Sequence, residues 1–291
     1  MDVEPERRHH RRHLDPGAGI RLARIATDPR TAPAPRGFRA ADDDDAALVP
    51  GADAAVLAQL AAAPIRAMGR VVYSSNAVFV LEMDAPDPHV PGQPLRAIYK
   101  PTRGERPLHD FPRHTLHLRE RAAYLLSAAA GIRAVPPTAL RDGPHGPGSV
   151  QLYIHSGEEP QPDRAAPDLE AQLRRLAMFD ILANNADRKQ AHLLVDGGGH
   201  LWGIDNALTF LPYPRQRTVL LELGGSDLDP DDVELVRRLR DGDARAGLRA
   251  ALLRLLSPAE VDAFEGRLEE LAAHPWYPRL DDWDGRPFEW W

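Results

Sequence analysis

The chain has 291 residues, 43% of them hydrophobic, and a formal net charge of −7. That acidic balance argues against a nucleic-acid binder, whose electrostatic footprint is net basic, and against stable docking on anionic lipid. No run approaches the roughly 18 apolar residues needed to span a bilayer. Residues 1–13 carry charge and histidine rather than a signal sequence, and the absence of cysteine excludes disulfides and thiolate chemistry; a cytoplasmic protein is expected.

Residues 1–50 join a basic patch at 7–13 to an acidic run at 42–45, which predicts a disordered tail. A short Ala/Leu helix is expected over 53–63. Residues 69–83 read as a hairpin whose turn is Ser74-Ser75-Asn76, and 95–100 as a further strand stopped by Pro101. After a loop over 102–113, Leu118, Ala122, Leu125, Leu126 and Ala129 recur at helical spacing, predicting a helix over 115–130. Strands at 135–140 and 149–154 complete a small sheet, and 160–167 reads as a crossing. Asp168 is placed to cap a helix with Leu169, Leu173, Leu176 and Phe179 on its apolar face. Two short strands, 192–195 and 200–205, flank the turn Asp196-Gly197-Gly198-Gly199. Helices are expected at 230–239, 244–256 and 258–273, with Asp229 and Ser257 as N-caps, each followed by proline.

Basic residues carry the sharpest compositional signal. Of 36 lysines plus arginines, only Lys100 and Lys189 are lysine. A compact ammonium and a planar guanidinium are not interchangeable among phosphate oxygens, so two lysines in an arginine-rich chain mark places where the point charge matters. Lys100 ends the strand Ala97-Ile98-Tyr99-Lys100, Glu120 lies on the following helix as its natural partner, and Lys189 stands two residues after Asp187. Asp205 follows the Gly-rich hairpin, 18 residues beyond Asp187.

These stretches, together with Ser75-Asn76-Ala77-Val78, Lys100-Pro101, Arg103-Gly104-Glu105-Arg106-Pro107, residues 184–189 and Gly203-Ile204-Asp205-Asn206, resemble the bacterial branch of the phosphatidylinositol 3- and 4-kinase-like proteins, which shares its core with HipA-type kinases. The likeness is to an actinobacterial branch and spans roughly residues 69–218. It implies an α+β, two-lobed, protein-kinase-like fold, with a small β-rich lobe over 54–152 and a mainly helical lobe over 153–291. It implies ATP and Mg²⁺ or Mn²⁺ as cofactors; the family name does not establish a lipid substrate, and the acidic charge without a membrane device points instead to a small-molecule or protein hydroxyl as phosphate acceptor. Asp187 would serve the acceptor hydroxyl and Lys189 the transferred phosphoryl group; Asp205 would hold metal. Lys100, Glu120, the turn Ser74-Ser75-Asn76 and the connector around Gln151 and Tyr153 would hold the nucleotide.

Two departures stand out. No glycine-rich phosphate loop is present, so the Ser74–Asn76 turn would have to cradle phosphate with its backbone amides. His192 occupies the position where such kinases place a second metal-binding asparagine; imidazole suits Mn²⁺ or Zn²⁺ better than Mg²⁺. An ATP-binding pseudokinase, or a nucleotidyl transferase on the same fold, is therefore the alternative.

Overall fold

In the computed structural model the described residues are 23–24, 43–72, 74, 76–156, 167–281 and 284–287. Ser75 of the candidate phosphate turn, residues 160–166 of the expected crossing at 160–167, and most of the expected N-terminal tail lie outside them.

A six-stranded antiparallel sheet forms the first half. Its strands are β1 (Ala23–Arg24), β2 (Ile65–Arg70), β3 (Phe79–Pro86), β4 (Pro94–Pro101), β5 (Thr138–Gly143) and β6 (Gly146–Leu152), ordered β1-β2-β3-β4-β6-β5. β4 shows the two-residue period of a pleated strand: Leu95, Ala97 and Tyr99 are buried, while Arg96, Ile98 and Lys100 on the opposite side are half-buried. The expected first hairpin strand lies earlier than the β-rich residues suggested. Val71 closes the hairpin by donating to Val78 O at 2.9 Å, and Val72 is left exposed in the turn.

Two helices belong to this half, α1 (Gly51–Ala62) and α2 (Leu116–Ala129), the second inserted between β4 and β5. The period-based reading gave α2 a single apolar face. Instead every residue from Leu116 to Ser127 except Leu118 is buried, because the sheet covers one side and later helices the other. Its arginines consequently need buried partners. Arg119 pairs with Glu260 and donates to Thr209 O at 2.5 Å; Arg121 donates to Thr138 O at 2.7 Å and pairs with Asp45 at 3.2 Å. Asp45 also pairs with Arg254. The acidic run thus reaches into the fold, where residues 43–48 form a 3₁₀ turn.

The second half is mainly helical: α3 (Pro167–Ala183), α4 (Pro230–Asp241), α5 (Ala244–Leu253) and α6 (Pro258–Ala273), with the small hairpin β7 (Leu193–Val195) and β8 (Leu201–Gly203) between α3 and α4. Asp168 lies inside the first turn of α3 rather than before it. Ser257 caps α6 in a reciprocal box with Glu260, whereas Asp229 before α4 makes no capping bond with its side chain. One hydrophobic core runs through both halves, from Leu57 and Leu81 to Phe264 and Leu268. The α+β class, with a β-rich first part and a mainly helical second part, is as expected. Among the described residues no helix is long and apolar enough to cross a membrane.

Candidate active site

The site grows from α3. Its run from Leu176 to Ala183 is apolar and buried except at Asp180 and the partly exposed Ile181; Asp180 is itself fully buried. A lone acid there requires compensation. Asn184 ends the helix in the left-handed region at φ 48°, a conformation its short polar side chain tolerates. The chain then turns back so that Asn185 Nδ2 donates to Asp180 Oδ1 at 2.9 Å, and Asn185 Oδ1 accepts from Asp187 N at 3.0 Å.

Arg188, with no exposed surface, forks onto both Asp180 oxygens at 2.9 Å and reaches across to Ile204 O at 2.9 Å and Asn206 Oδ1 at 2.6 Å. A single guanidinium therefore ties the loop that carries Asp187 to the segment that carries Asp205. Gly203 lets this happen, since a β-carbon there would lie 2.6 Å from Leu176 Cδ1 and 3.2 Å from Arg188 Nη2. Asp205 itself takes φ 57°, a strained value for a residue with a side chain.

The strain aims the Asp205 carboxylate, half-exposed, at two groups. Lys100 Nζ lies 2.7 Å from Oδ1, and His192 Nε2 lies 3.5 Å from Oδ2. Lys100 also pairs with Glu120, as expected from the sequence, and Glu120 Oε2 accepts from Asn206 N at 3.2 Å. Glu120 is buried, so it is no solvated surface charge. Lys189 Nζ stands 2.8 Å from Asp187 Oδ2.

Electrostatics follow from this packing. Burial disfavours the Lys100 ammonium, but Asp205 and then Glu120 outweigh it and hold its pKa above the ordinary lysine value. The same ammonium depresses Asp205 well below the usual carboxylate range. Burial pushes Glu120 up, with Lys100 opposing. Burial likewise raises Asp187, partly offset by Lys189, while the Asp205 charge adds to the rise. Burial lowers His192 to about 4, so its imidazole is neutral at pH 7 and able to act as a ligand.

The nucleotide-holding candidates sit differently. Asn76 Oδ1 accepts from Arg106 N at 3.0 Å, and Ala77 N donates to Gly104 O at 3.2 Å, so Asn76 and Ala77 are laced to the loop after β4. Gly104 allows that approach, because a β-carbon there would fall 2.1 Å from Ala77 Cβ. Gln151 is buried near the end of β6, with its amide donating to Thr138 Oγ1 at 2.9 Å. Tyr153, just beyond β6 and buried, donates its backbone N–H to Arg96 O at 3.1 Å. Both of these hydrogen bonds are made to residues of the sheet.

Among the described residues no three His, Asp or Glu side chains gather as a metal cluster. Asp205 and His192 converge at 3.5 Å and could supply two ligands to an ion whose remaining positions are filled by phosphate oxygens and water.

No family model matches the chain. Protein Rv2133c of Mycobacterium tuberculosis is 33% identical over 269 aligned residues, covering 80% of this chain and 94% of that protein. The chain belongs to the Rv2133c family. Among solved structures, the proinflammatory kinase CtkA of Helicobacter pylori aligns at a TM-score of 0.41 and 12% identity, over 74% of this chain and 94% of that one. That likeness is too slight to carry weight.

In this member of the Rv2133c family, sequence reasoning missed Asp180, Asn185, Arg188 and Asn206 as the frame of the site. One signal was available. Asp180 breaks the run Leu176-Ala177-Met178-Phe179-Asp180-Ile181-Leu182, and a carboxylate on the buried face of a helix demands a cation nearby.

Proposed function

We propose that the chain is an ATP-dependent phosphotransferase that acts on a hydroxyl of a small molecule or protein in the cytoplasm. The observation that carries this reading is Lys100 held between Glu120 and Asp205, with the Asp187–Lys189 pair in the same electrostatic field. A phosphotransferase of this kind needs a lysine fixed by a buried glutamate, a metal-holding acid and a second acid for the acceptor.

Bound ATP with Mg²⁺ or Mn²⁺ would supply the phosphoryl group and screen its charge. Asp205 and His192 would hold the ion, and Lys100 would meet the phosphates. Asp187, its carboxyl pKa raised by burial, would orient the acceptor hydroxyl and take its proton as the new O–P bond forms and the bond from the γ-phosphorus to the ADP leaving oxygen breaks. Lys189 would neutralise charge on the transferred group.

A second reading, an ATP-binding regulator without turnover, is favoured by one observation: His192 faces Asp205 where such kinases carry an asparagine. Thermal-shift titration with ATP, with and without each metal, followed by labelled-phosphate transfer, separates the two. Binding with no transfer under any condition supports the regulator; no nucleotide binding at all removes both.

Variants assign the acids. Asp205→Asn is expected to abolish metal-dependent ATP binding. Asp187→Asn should leave binding intact while slowing transfer about 10²- to 10⁴-fold, the usual worth of a general base. Metal-dependent binding that survives Asp205→Asn would remove Asp205 from the metal site. His192→Asn is expected to move the preference from Mn²⁺ towards Mg²⁺, since an oxygen ligand suits the harder ion. An unchanged preference would leave His192 as a buried structural histidine.

A further inference from the structure

A groove of about 640 Å³ opens between α6 and the segment 212–217, bounded on its other side by residues 276–281 and 284–285. That volume suits a small organic molecule, whose sites run from about 300 to 1,000 Å³. Pro212, Pro214, Pro278 and Trp276 give it apolar walls, and Trp276 is 47% exposed.

Several charged groups on its rim already have partners. Arg215 pairs with Asp110 at 3.1 Å, and Arg217 Nε donates to the Asp284 carbonyl at 3.1 Å. Glu270 pairs with His274 at 3.0 Å, and Asp281 Oδ1 accepts from Asp284 N at 3.1 Å. Arg267 differs. Its Nε donates to Leu182 O at 2.9 Å and its Nη1 to Leu211 O at 3.4 Å, but Nη2 is buried without any partner. No carboxylate among the described residues neutralises it. Burial lowers its pKa only to about 10, so it remains charged at pH 7. A largely desolvated guanidinium without a counter-charge is costly, and an oxyanion is the group that would compensate its unpartnered Nη2.

We propose that this groove binds a small molecule pairing an oxyanion, carboxylate or phosphate, with a flat apolar body, the oxyanion on Arg267 and the body against Trp276. The site lies outside the proposed catalytic cluster and does not rest on the phosphotransferase reading, since none of Lys100, Glu120, Asp187 and Asp205 lines it.

The test is calorimetric titration of the full chain with phenyl phosphate and with benzoate, using phenol as the uncharged control. At least one anionic probe should bind saturably, phenol should not, and Arg267→Gln should weaken the binding by about tenfold or more. Which anion binds better distinguishes a phosphate ligand from a carboxylate one. Because Arg267 also holds two backbone carbonyls, a second variant guards against misfolding. Gly266 lines the groove and a β-carbon there meets nothing within 4 Å, so Gly266→Leu keeps the fold while filling the space. It should abolish binding too. Absence of binding by both anions, equal binding by phenol, or binding that Gly266→Leu leaves intact overturns the proposal.

Discussion

Lys100→Met is expected to slow phosphoryl transfer by about 10²- to 10³-fold, the range found when one preorganised donor to a charged transition state is removed. Lys100→Arg should recover little of the loss. The ammonium sits between Glu120 and Asp205, 2.7 Å from the latter, and a guanidinium is too broad and planar to replace a compact charge there. Methionine also leaves the buried Glu120 carboxylate without its cation, so both variants need a thermal melt beside the rate. A Lys100→Arg protein with unchanged ATP affinity and transfer rate would dismiss the phosphate role for Lys100. A variant that melts far below the parent would make the arginine comparison uninformative for rate, and Asp205→Asn then becomes the decisive measurement.

The second large effect is on stability. Asp180→Ala is expected to cost about 3–5 kcal/mol, the typical penalty for stripping one partner from a fully buried ion pair. Both Asp180 and Arg188 have no exposed side-chain surface, and the guanidinium makes five bonds to Asp180, Ile204 and Asn206. Against a typical total stability of about 5–15 kcal/mol, such a loss is readily measured by urea denaturation. It should come with reduced transfer, because Arg188 fixes the Asp187 loop against the Asp205 segment. A loss under about 1 kcal/mol would mean that water or a rearranged partner compensates Arg188, and the frame assigned to it would be wrong.

What the sequence alone determined is local. The period of two in Leu95-Arg96-Ala97-Ile98-Tyr99-Lys100 put Lys100 on the side of β4 away from the buried residues. The Ser257–Glu260 box set the start of α6, and the Gly-rich turn set the hairpin before Asp205. Only two lysines stand in an arginine-rich chain, and both pair with acids of the candidate site. Such features depend on neighbours a few residues away, through backbone sterics and short-range hydrogen bonds. Tertiary structure alone decided the rest. The burial of Glu120, Arg119 and Arg121 on every side of α2 came from elements far along the chain, Glu260 and Asp45 among them. The 105-residue separation between Lys100 and Asp205, and the bridge from Arg188 to both Asp180 and Asn206, leave no periodic trace. A charge buried by the fold is neutralised by whichever partner the fold delivers, and that partner's place in the sequence is free.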